Sequence, residues 1–548
     1  MSQTIHSHRS CDDIVTTRTN YSSDKRRITI RCTRSRGPRW FFCLQVDRRG
    51  PVIVGVRPRN SMTTQNGTNL ILRSALFFVA MVWFFGLATA SAETITISNA
   101  NTSSKELPKV VAEAIDRLQK SSSGESHRLI LQGEFSPLST VKIQWWGDRR
   151  LIVSGTCTLD GSALPKETET VFIAGRNLTL ESFRFVNSQG HALIVGGKSD
   201  RYAIRNCVFD SCRKGAIYVW NDPHAIESSK KRRGIIDGNR ISRFNLDEAK
   251  WANDGITVFD QRVTISRNFI SNSPTESNGI RAMGRDLVIE RNVVREVSKD
   301  DAGGIYLWGG PHASLFRGNV VRWNRVVGAS RGIYLDDGTS GVRVEENIVE
   351  DSSVCAIFIS GGRDNLVERN VVDGAPVFVH LDSRCLAWDS RPEYAELAKE
   401  SVARLREALK DEESALFLRD RYAGLRDLTE KNLKLETYGR PKANRVQENF
   451  VRGAKEVWEL MDFSAAVKTD FRALNQLAPP HSFAQSTELL PVSLREQFGF
   501  QGWDRLQEIE LEETKQGEQD GAGQPATRSE SERFPEHNPQ PVVNVPPQ

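Results

Sequence analysis

The sequence predicts an all-β solenoid, a parallel β-helix, on three observations. A four-residue pattern of one apolar residue, two polar residues and Asn recurs, ending at Asn239, Asn268, Asn292, Asn319, Asn347 and Asn370. Asn206 fits one step earlier, and Ser182 takes the slot before that. The steps from Asn206 onward are 33, 29, 24, 27, 28 and 23 residues, the length of one coil. A second β-rich run follows in each unit, at 216–219, 255–258, 279–282, 304–307, 332–335 and 356–359. Leucine-rich repeats have a similar period, but their Leu-x-x-Leu-x-Leu frame is missing.

Coils of a β-helix stack about 4.8 Å apart, so equivalent positions form columns. A column of Asn at a turn passes hydrogen bonds along the axis and satisfies buried amides. These Asn residues are therefore scaffold and not catalytic. The unequal steps mean that loops of unequal length leave the coils, and such loops commonly build a functional face.

The stack needs covers at its ends, because open strands are sticky. Residues 104–120 carry Val110, Val111, Ala114, Ile115 and Leu118 at helical spacing behind Pro108, which predicts an amphipathic N-terminal capping helix. After Asn370 the pattern next recurs at Asn449. Between them, from Pro392 to about Lys431, Leu397, Leu405 and Leu409 among many charged residues predict a helical excursion near the C-terminal end. The tail from Glu512 is rich in Gln, Glu, Pro, Ser and Gly and is expected to be disordered. The expected organisation is a leader at 1–61, a signal peptide at 62–92, the β-helix at 93–390, the helical insertion at 391–440, a terminal coil and extension at 441–511, and the tail at 512–548.

The 548 residues are 39% hydrophobic and 26% charged, which excludes a collagen, a wholly disordered chain and a polytopic membrane protein. The formal net charge of +5 invites a nucleic-acid reading, but its distribution removes it. Residues 1–61 hold 13 Lys+Arg against 4 Asp+Glu, so the rest of the chain is left at −4. It has no positive field to gather phosphates.

Residues 62–92 carry Arg73, an uncharged run from Ser74 to Ala90, and Ala90-Ser91-Ala92. That is the grammar of a secretory signal peptide cleaved after Ala92. An uncleaved anchor is the alternative, since the run is long for a signal core. The expectation is that Met62 is the start, that 1–61 is upstream sequence translated in error, and that the mature protein is secreted, periplasmic or at the cell surface without stable membrane insertion. A long basic cytoplasmic tail before an anchor is the other reading.

The expected mature part has five cysteines, Cys157, Cys207, Cys212, Cys355 and Cys385. An odd count without a CxxC pair points to small buried residues, not to a disulfide framework or a zinc site. No metal or other cofactor is expected.

Four segments carry a resemblance. Asp300-Asp-Ala-Gly-Gly-Ile-Tyr306, Arg331-Gly-Ile-Tyr-Leu-Asp-Asp-Gly338, Ser360-Gly-Gly-Arg-Asp-Asn365 and Val379-His-Leu-Asp-Ser-Arg384 resemble successive coils of bacterial secreted right-handed parallel β-helix proteins of the pectin-lyase-like class. In pattern they are closest to the β-helix glycoside hydrolases active on fucose- and xylose-containing plant polysaccharides. The resemblance implies a right-handed coil and acidic residues at Asp301 and at Asp336 or Asp337. The chain departs from those hydrolases after Tyr306. Leu307-Trp-Gly-Gly-Pro311 stands where they have a polar Gly-Arg-Asp-Trp stretch.

Alternation along a strand leads to the same place. If Ile333 and Leu335 face the core, Tyr334 and Asp336 face out. The same outward columns hold Tyr218 and Trp220, Thr257 and Phe259, Tyr306 and Trp308, and Phe358. A solvent-facing stripe of rings beside carboxylates suits sugars, because aromatic faces stack on sugar rings and carboxylates bond hydroxyls. The alternative is that loops or the 390–440 helices cover the stripe as a packing surface. Tyr306, Trp308 and Tyr334, with Arg363, His380 and Arg384, are the candidate substrate-binding residues.

Asp301, Asp336, Asp337 and Asp382 are the candidate catalytic residues. Paired carboxylates suit glycoside hydrolysis, one protonating the leaving oxygen while the other activates water or attacks. Asp301 lies about seven positions before Asp336 in column terms, a long reach. Asp337 and Asp382 are expected in one column with Gly361 between them, two rungs or roughly 9–10 Å apart. Both pairings stay open. The predicted partner is a polysaccharide or oligosaccharide. A polysaccharide lyase and a non-catalytic cell-surface glycan-binding or structural protein are the alternatives to a glycoside hydrolase.

Overall fold

The computed structural model describes strands within 6–56 and most of 93–482, interrupted at 122–125, 222–232, 248–252, 298–300, 311–312, 314, 383–391, 411, 427–432, 434–440, 462–474 and 479. The expected signal peptide and the expected tail lie outside the described residues. The first strands form a unit of their own, a five-stranded antiparallel sheet in chain order: His6–His8, Thr16–Ser23, Arg26–Arg34, Trp40–Val46 and Arg49–Val56. Periodicity within 1–61 does not announce these strands. The reading of this stretch as translated upstream sequence remains a proposal about processing.

From Glu93 onward the chain is the solenoid that the repeat predicts. One wall is an eleven-stranded parallel sheet running from Val141–Trp145 to Glu456–Met461. The other walls are built from pairs of short parallel strands such as Val288–Glu290 and Val293–Arg295. Inward positions of every rung merge into one continuous core, including Ile265, Ile289, Val321, Val344 and Val367 at 0% exposure. The predicted cap is present as the helix Leu107–Lys120, which buries Leu107, Val111, Ala114, Ile115 and Leu118.

The corners explain the Asn repeat. Between the two short strands the chain turns through one residue with positive φ, as at Arg267, Arg291, Trp323, Glu346, Arg369 and Glu448. A non-glycine residue there costs about 1–2 kcal/mol. The next residue is a buried Asn whose amide offsets that cost by tying the rungs together. Asn268 donates its backbone N–H and its Nδ2 to Asn292 Oδ1 at 3.0 and 2.9 Å. It also donates Nδ2 to the Ile236 carbonyl at 3.0 Å. The same pattern runs through Asn239, Asn268, Asn292, Asn324, Asn347, Asn370 and Asn449.

Three members of the predicted column stand elsewhere. Asn319 belongs to a second ladder at the next corner. There it accepts from Leu287 N–H at 3.0 Å, and Asn365, Asn444 and Asn475 continue the column. Asn324 holds the slot expected for Asn319. Its preceding residue is Trp323, not a polar one, with Arg291 and Arg322 stacked over the indole at 4.1 and 4.0 Å. Asn206 takes the positive-φ position, with φ 51°, and Cys207 takes the ladder slot, its N–H donating to Asn239 Oδ1. Ser182 likewise sits at positive φ.

The helical excursion is the pair Pro392–Lys410 and Glu412–Arg421, between strands Val377–Asp382 and Arg445–Gln447. Its own small core of Leu405, Leu409, Ala415, Leu418, Tyr422 and Leu425 packs against Leu315. The stack then resumes in register, with Leu366 opposite Arg445.

Cys157, Cys207 and Cys212 are buried thiols without a disulfide, as the odd count predicts, and Cys355 is buried as well. Cys385 lies outside the described residues. Burial pushes the Cys157, Cys207 and Cys212 thiols up to about 12.

The ladder predicts that Asn292→Leu and Asn324→Leu each lower stability by about 1–3 kcal/mol, because buried amides lose their partners. Asn319→Leu acts likewise through the second corner. Urea unfolding with unchanged midpoints in all three would contradict the ladder. The thiols give a second expectation. Unfolded thiols titrate near about 8.5, whereas the native ones keep their protons to about 12, so their contribution to stability is complete below about pH 8.5 and is lost as pH rises beyond it. A thiol-specific disulfide reagent should label these three positions only on unfolding; rapid labelling of the native protein is the opposite result.

Candidate functional site

The outer face of the eleven-stranded sheet carries the candidate residues. On Gly303–Trp308, Arg331–Asp336, Cys355–Ser360 and Val377–Asp382, pleating sends Ile305, Ile333, Ile357 and Val379 into the solenoid core. The alternate residues form two outward columns. One is Tyr306, Tyr334, Phe358 and His380; the other is Trp308, Asp336, Ser360 and Asp382.

The outward direction agrees with the sequence, but the exposure does not. Tyr334 is 0% exposed and Tyr306, Phe358 and His380 are also buried. Tyr306, Tyr334 and Phe358 make a second small core with Cys355 and Val377. Rung spacing brings rings of neighbouring coils into contact. Tyr334 stacks on Phe358 with centroids 4.5 Å apart, Phe358 meets His380 at 4.3 Å, and Tyr306 meets Tyr334 edge-on at 5.0 Å. Arg331 lies 5.2 Å over Tyr334 and 5.5 Å over Phe358. A stack of this kind spends its faces on itself. Tyr306, Tyr334 and His380 therefore do not offer open rings to a sugar, and the stripe is the packing surface here. Trp308 remains half-buried at the edge of the cluster.

The acids separate into three situations. Asp336 accepts from Tyr306 Oη at 2.7 Å and from the Asp337 backbone N–H at 2.8 Å. Asp337 accepts from Trp308 Nε1 at 2.7 Å. Both are buried, at 6% and 7% exposure. Asp382 is half-buried and accepts from Ser360 Oγ at 3.3 Å. Its column partner is Asp336, with Ser360 between, and not Asp337 with Gly361 between. Asp337 has left the strand at φ 46°, which moves it out of the register that simple counting assigns. Two rungs put Asp336 and Asp382 roughly 9–10 Å apart.

Asp301 is not part of this group. It stands seven residues before Trp308, outside the strand Gly303–Trp308, and pairs with Arg331 Nη1 at 3.3 Å. Arg363, expected to bind substrate, is instead buried and donates Nη1 to the Gly424 carbonyl of the insertion at 2.5 Å. Beside it, Arg317 and Asp364 form a buried pair at 2.8 Å, and Asp364 also accepts from Gly424 N–H. Arg363 thus anchors the insertion. Arg384 lies outside the described residues.

Sequence reasoning missed Arg281 and Asp254. Arg281 occupies the aromatic column one rung before Tyr306, within Gly279-Ile-Arg-Ala, and that break in the column was its only signal. The buried Asp254 accepts from Arg281 Nε at 2.7 Å, from Asn278 N–H and Nδ2 at 2.8 Å, and from Thr257 Oγ1 at 3.0 Å. The Arg281 guanidinium lies 4.8 Å over the Tyr306 ring. Burial opposes its charge, but Asp254, Tyr306 and Asp336 together outweigh burial and hold its pKa above the ordinary value. Burial, and then the Asp336 charge, push the Tyr306 hydroxyl well above its usual range. Tyr306 therefore keeps its proton and donates it to Asp336. The chain Asp254, Arg281, Tyr306, Asp336 fixes the position of a carboxylate with alternating charge and hydrogen bonds.

Among the described residues, no group of three His, Cys, Asp or Glu side chains is placed to hold a metal ion. Among them, too, no helix is long and apolar enough to cross a membrane.

A family model described as "Right handed beta helix region" matches residues 169–330 and 249–386. No curated protein matches. Solved structures of similar fold include PfbA, a surface adhesin of Streptococcus pneumoniae, at 14% identity, over 53% of this chain and 87% of that chain, with a TM-score of 0.38. The DFA-IIIase of Arthrobacter chlorophenolicus A6 in complex with GF2 matches at 13% identity, over 71% and 99%, with a TM-score of 0.44. The periplasmic alginate epimerase AlgG matches at 11% identity, over 71% and 81%, with a TM-score of 0.39. At these TM-scores the likenesses carry no argument about activity.

The hydrogen bond at the centre of the site predicts that Tyr306→Phe lowers stability by about 1–2 kcal/mol, since Asp336 stays buried without its donor. Thermal unfolding measures it; a Tyr306→Phe midpoint equal to wild type would show that Asp336 does not depend on that bond.

Proposed function

Residues 169–386 belong to the right-handed parallel β-helix family, and from that premise we propose that the chain is an exported carbohydrate-active protein, a glycoside hydrolase. One observation carries the reading: Asp336 and Asp382 share an outward column two rungs apart. Roughly 9–10 Å lies at the upper end of the separation, about 6.5–9.5 Å, that leaves room for water between two carboxyl groups. Asp336 and Asp382 are the proposed acid–base pair, one protonating the leaving oxygen while the other activates water. Asp337, held by Trp308, shapes the same patch. The polymer or oligomer substrate is of the plant or algal type, on the resemblance of the four motifs. Export rests on the signal-like 62–92 segment, and a mature N-terminus at Glu93 is the expected result of sequencing the secreted protein.

A second reading has its own support. The near-complete burial of Asp336 and Asp337 suits acids that hold a scaffold, and a non-catalytic glycan-binding surface protein would keep them for that purpose. A polysaccharide lyase on the same face would need a cation to neutralise a uronate; Arg331, half-buried beside the aromatic stack, is the described candidate.

The test is a screen of the purified protein against a polysaccharide panel. New reducing ends without a product absorbing in the ultraviolet double-bond band support the hydrolase; the absorbing product selects the lyase. On a cleaved substrate, Asp336→Asn and Asp382→Asn should each cut kcat at least about 10²-fold, while Asp301→Asn leaves it within a few fold. Melting curves must accompany these variants, because Asp336 is buried. Full activity in Asp336→Asn, Asp337→Asn and Asp382→Asn would place the chemistry elsewhere.

A further inference from the structure

The aromatic column is buried at its C-terminal end and open at its N-terminal end. Four rungs before Asp336, in the same column, stands Trp220, reached through Trp308, Met283 and Phe259. It is 38% exposed. Tyr218, half-buried beside it, lies nearly parallel to the indole, with centroids 6.1 Å apart and planes 21° from each other. His191 stacks on Tyr218 at 4.9 Å and 23°, and is half-buried as well. The next rung continues the face with half-buried Ile194 and with Gly196, across which the Phe172 ring lies so closely that a Cβ would meet its Cε2 at 2.5 Å. Phe259 beneath braces the indole edge-on at 5.6 Å.

We infer that Trp220, Tyr218 and His191 form a glycan-stacking subsite, separate from the carboxylates and about 19 Å from Asp336 along the solenoid axis. Trp220 is the partly exposed ring that can receive the apolar face of a sugar ring, and the Tyr218–His191 stack beside it and Phe259 beneath hold its indole in place. An aromatic ring so held supplies the platform with little ordering cost. A tightly packed core shows the opposite, as Tyr334 and Phe358 do. The occupant is a polysaccharide chain. The rungs repeat every 4.8 Å or so, and a polymer of repeating rings can lie along such a face and touch both the aromatic platform and the acids. Between them Phe316 packs with Phe259 and Met283, and Tyr218 and Trp308 lie against the same cluster. This inference deepens the proposed function and rests on its substrate class, but its test reads binding and not turnover.

Native gels cast with citrus pectin, xyloglucan or alginate provide the probes. The wild type should be retarded by at least one of them. Trp220→Ala and Tyr218→Ala should each weaken the retardation about tenfold, whereas Tyr218→Phe, which keeps the ring, should match wild type. Matching melting curves separate a lost platform from a lost fold, and Tyr218→Phe serves as the folded control. Retardation with no turnover on any glycan would retire the hydrolase and leave the subsite standing. Equal retardation of Trp220→Ala and wild type, or no retardation of wild type by all three polysaccharides, would overturn the subsite.

Discussion

Everything in this solenoid depends on the rung spacing that parallel strands impose, about 4.8 Å, and on the Asn amides that make the corners at that spacing possible. A parallel coil must turn sharply between its short strands. Each such turn uses a residue in the left-handed region, unfavourable for Arg291 or Glu346, followed by a buried polar backbone that water cannot reach. Asn solves both problems with one side chain. Its Oδ1 accepts from the rung before, and its Nδ2 donates to that rung's carbonyl. A second set of Asn, from Asn319 to Asn475, does the same at the next corner. With two corners pinned, the strands of the third wall have their register set for them.

Fixed register turns sequence position into spatial columns, and the columns have consequences of both kinds. Aromatic residues repeated at one position stack on one another and close their faces, as Tyr334 and Phe358 do. Where the column is broken by Arg281, the guanidinium lies over Tyr306 and charge enters the row. Asp254 neutralises it from within the fold, and Tyr306 hands a hydrogen bond to Asp336. The carboxylates therefore stand at the end of a buried polar chain and not on a free surface. Hydrogen bonding to preorganised donors is how a site holds a carboxylate in one geometry. Arg363 and Asp364 do different work, clamping the helical insertion through Gly424.

Much of this was legible in the residues. The repeat predicted the solenoid, the capping helix and the excursion near residues 391–440, because apolar periodicity and a polar column are local signals. Alternation correctly sent Tyr334 and Asp336 outward. What failed were single-residue displacements and long-range cover. Asn319 and Asn324 both follow an apolar residue by three, and only the corner each occupies separates them. Asp337 satisfies the counting rule for the Asp382 column, but its left-handed backbone takes it out of the strand. Burial of the aromatic column depends on what lies outside the sheet, which no strand pattern encodes. Arg363 reads as a surface cation until Gly424, far along the chain, is placed beside it. Arg281 and Asp254 are 27 residues apart and join only because one coil separates them.

The central claim is that carbohydrate chemistry belongs to the outward face carrying Asp336 and Asp382, not to the Asn-bearing corners. A crystal structure of the Asp336→Asn protein soaked with an oligosaccharide that the wild type binds tests it most directly. The account predicts sugar density across the Asp336 and Asp382 column, with a ring oxygen or hydroxyl in hydrogen-bond reach of Asp382. Density confined to the opposite walls, or a sugar held only at the corners beside Asn292 and Asn347, would contradict it.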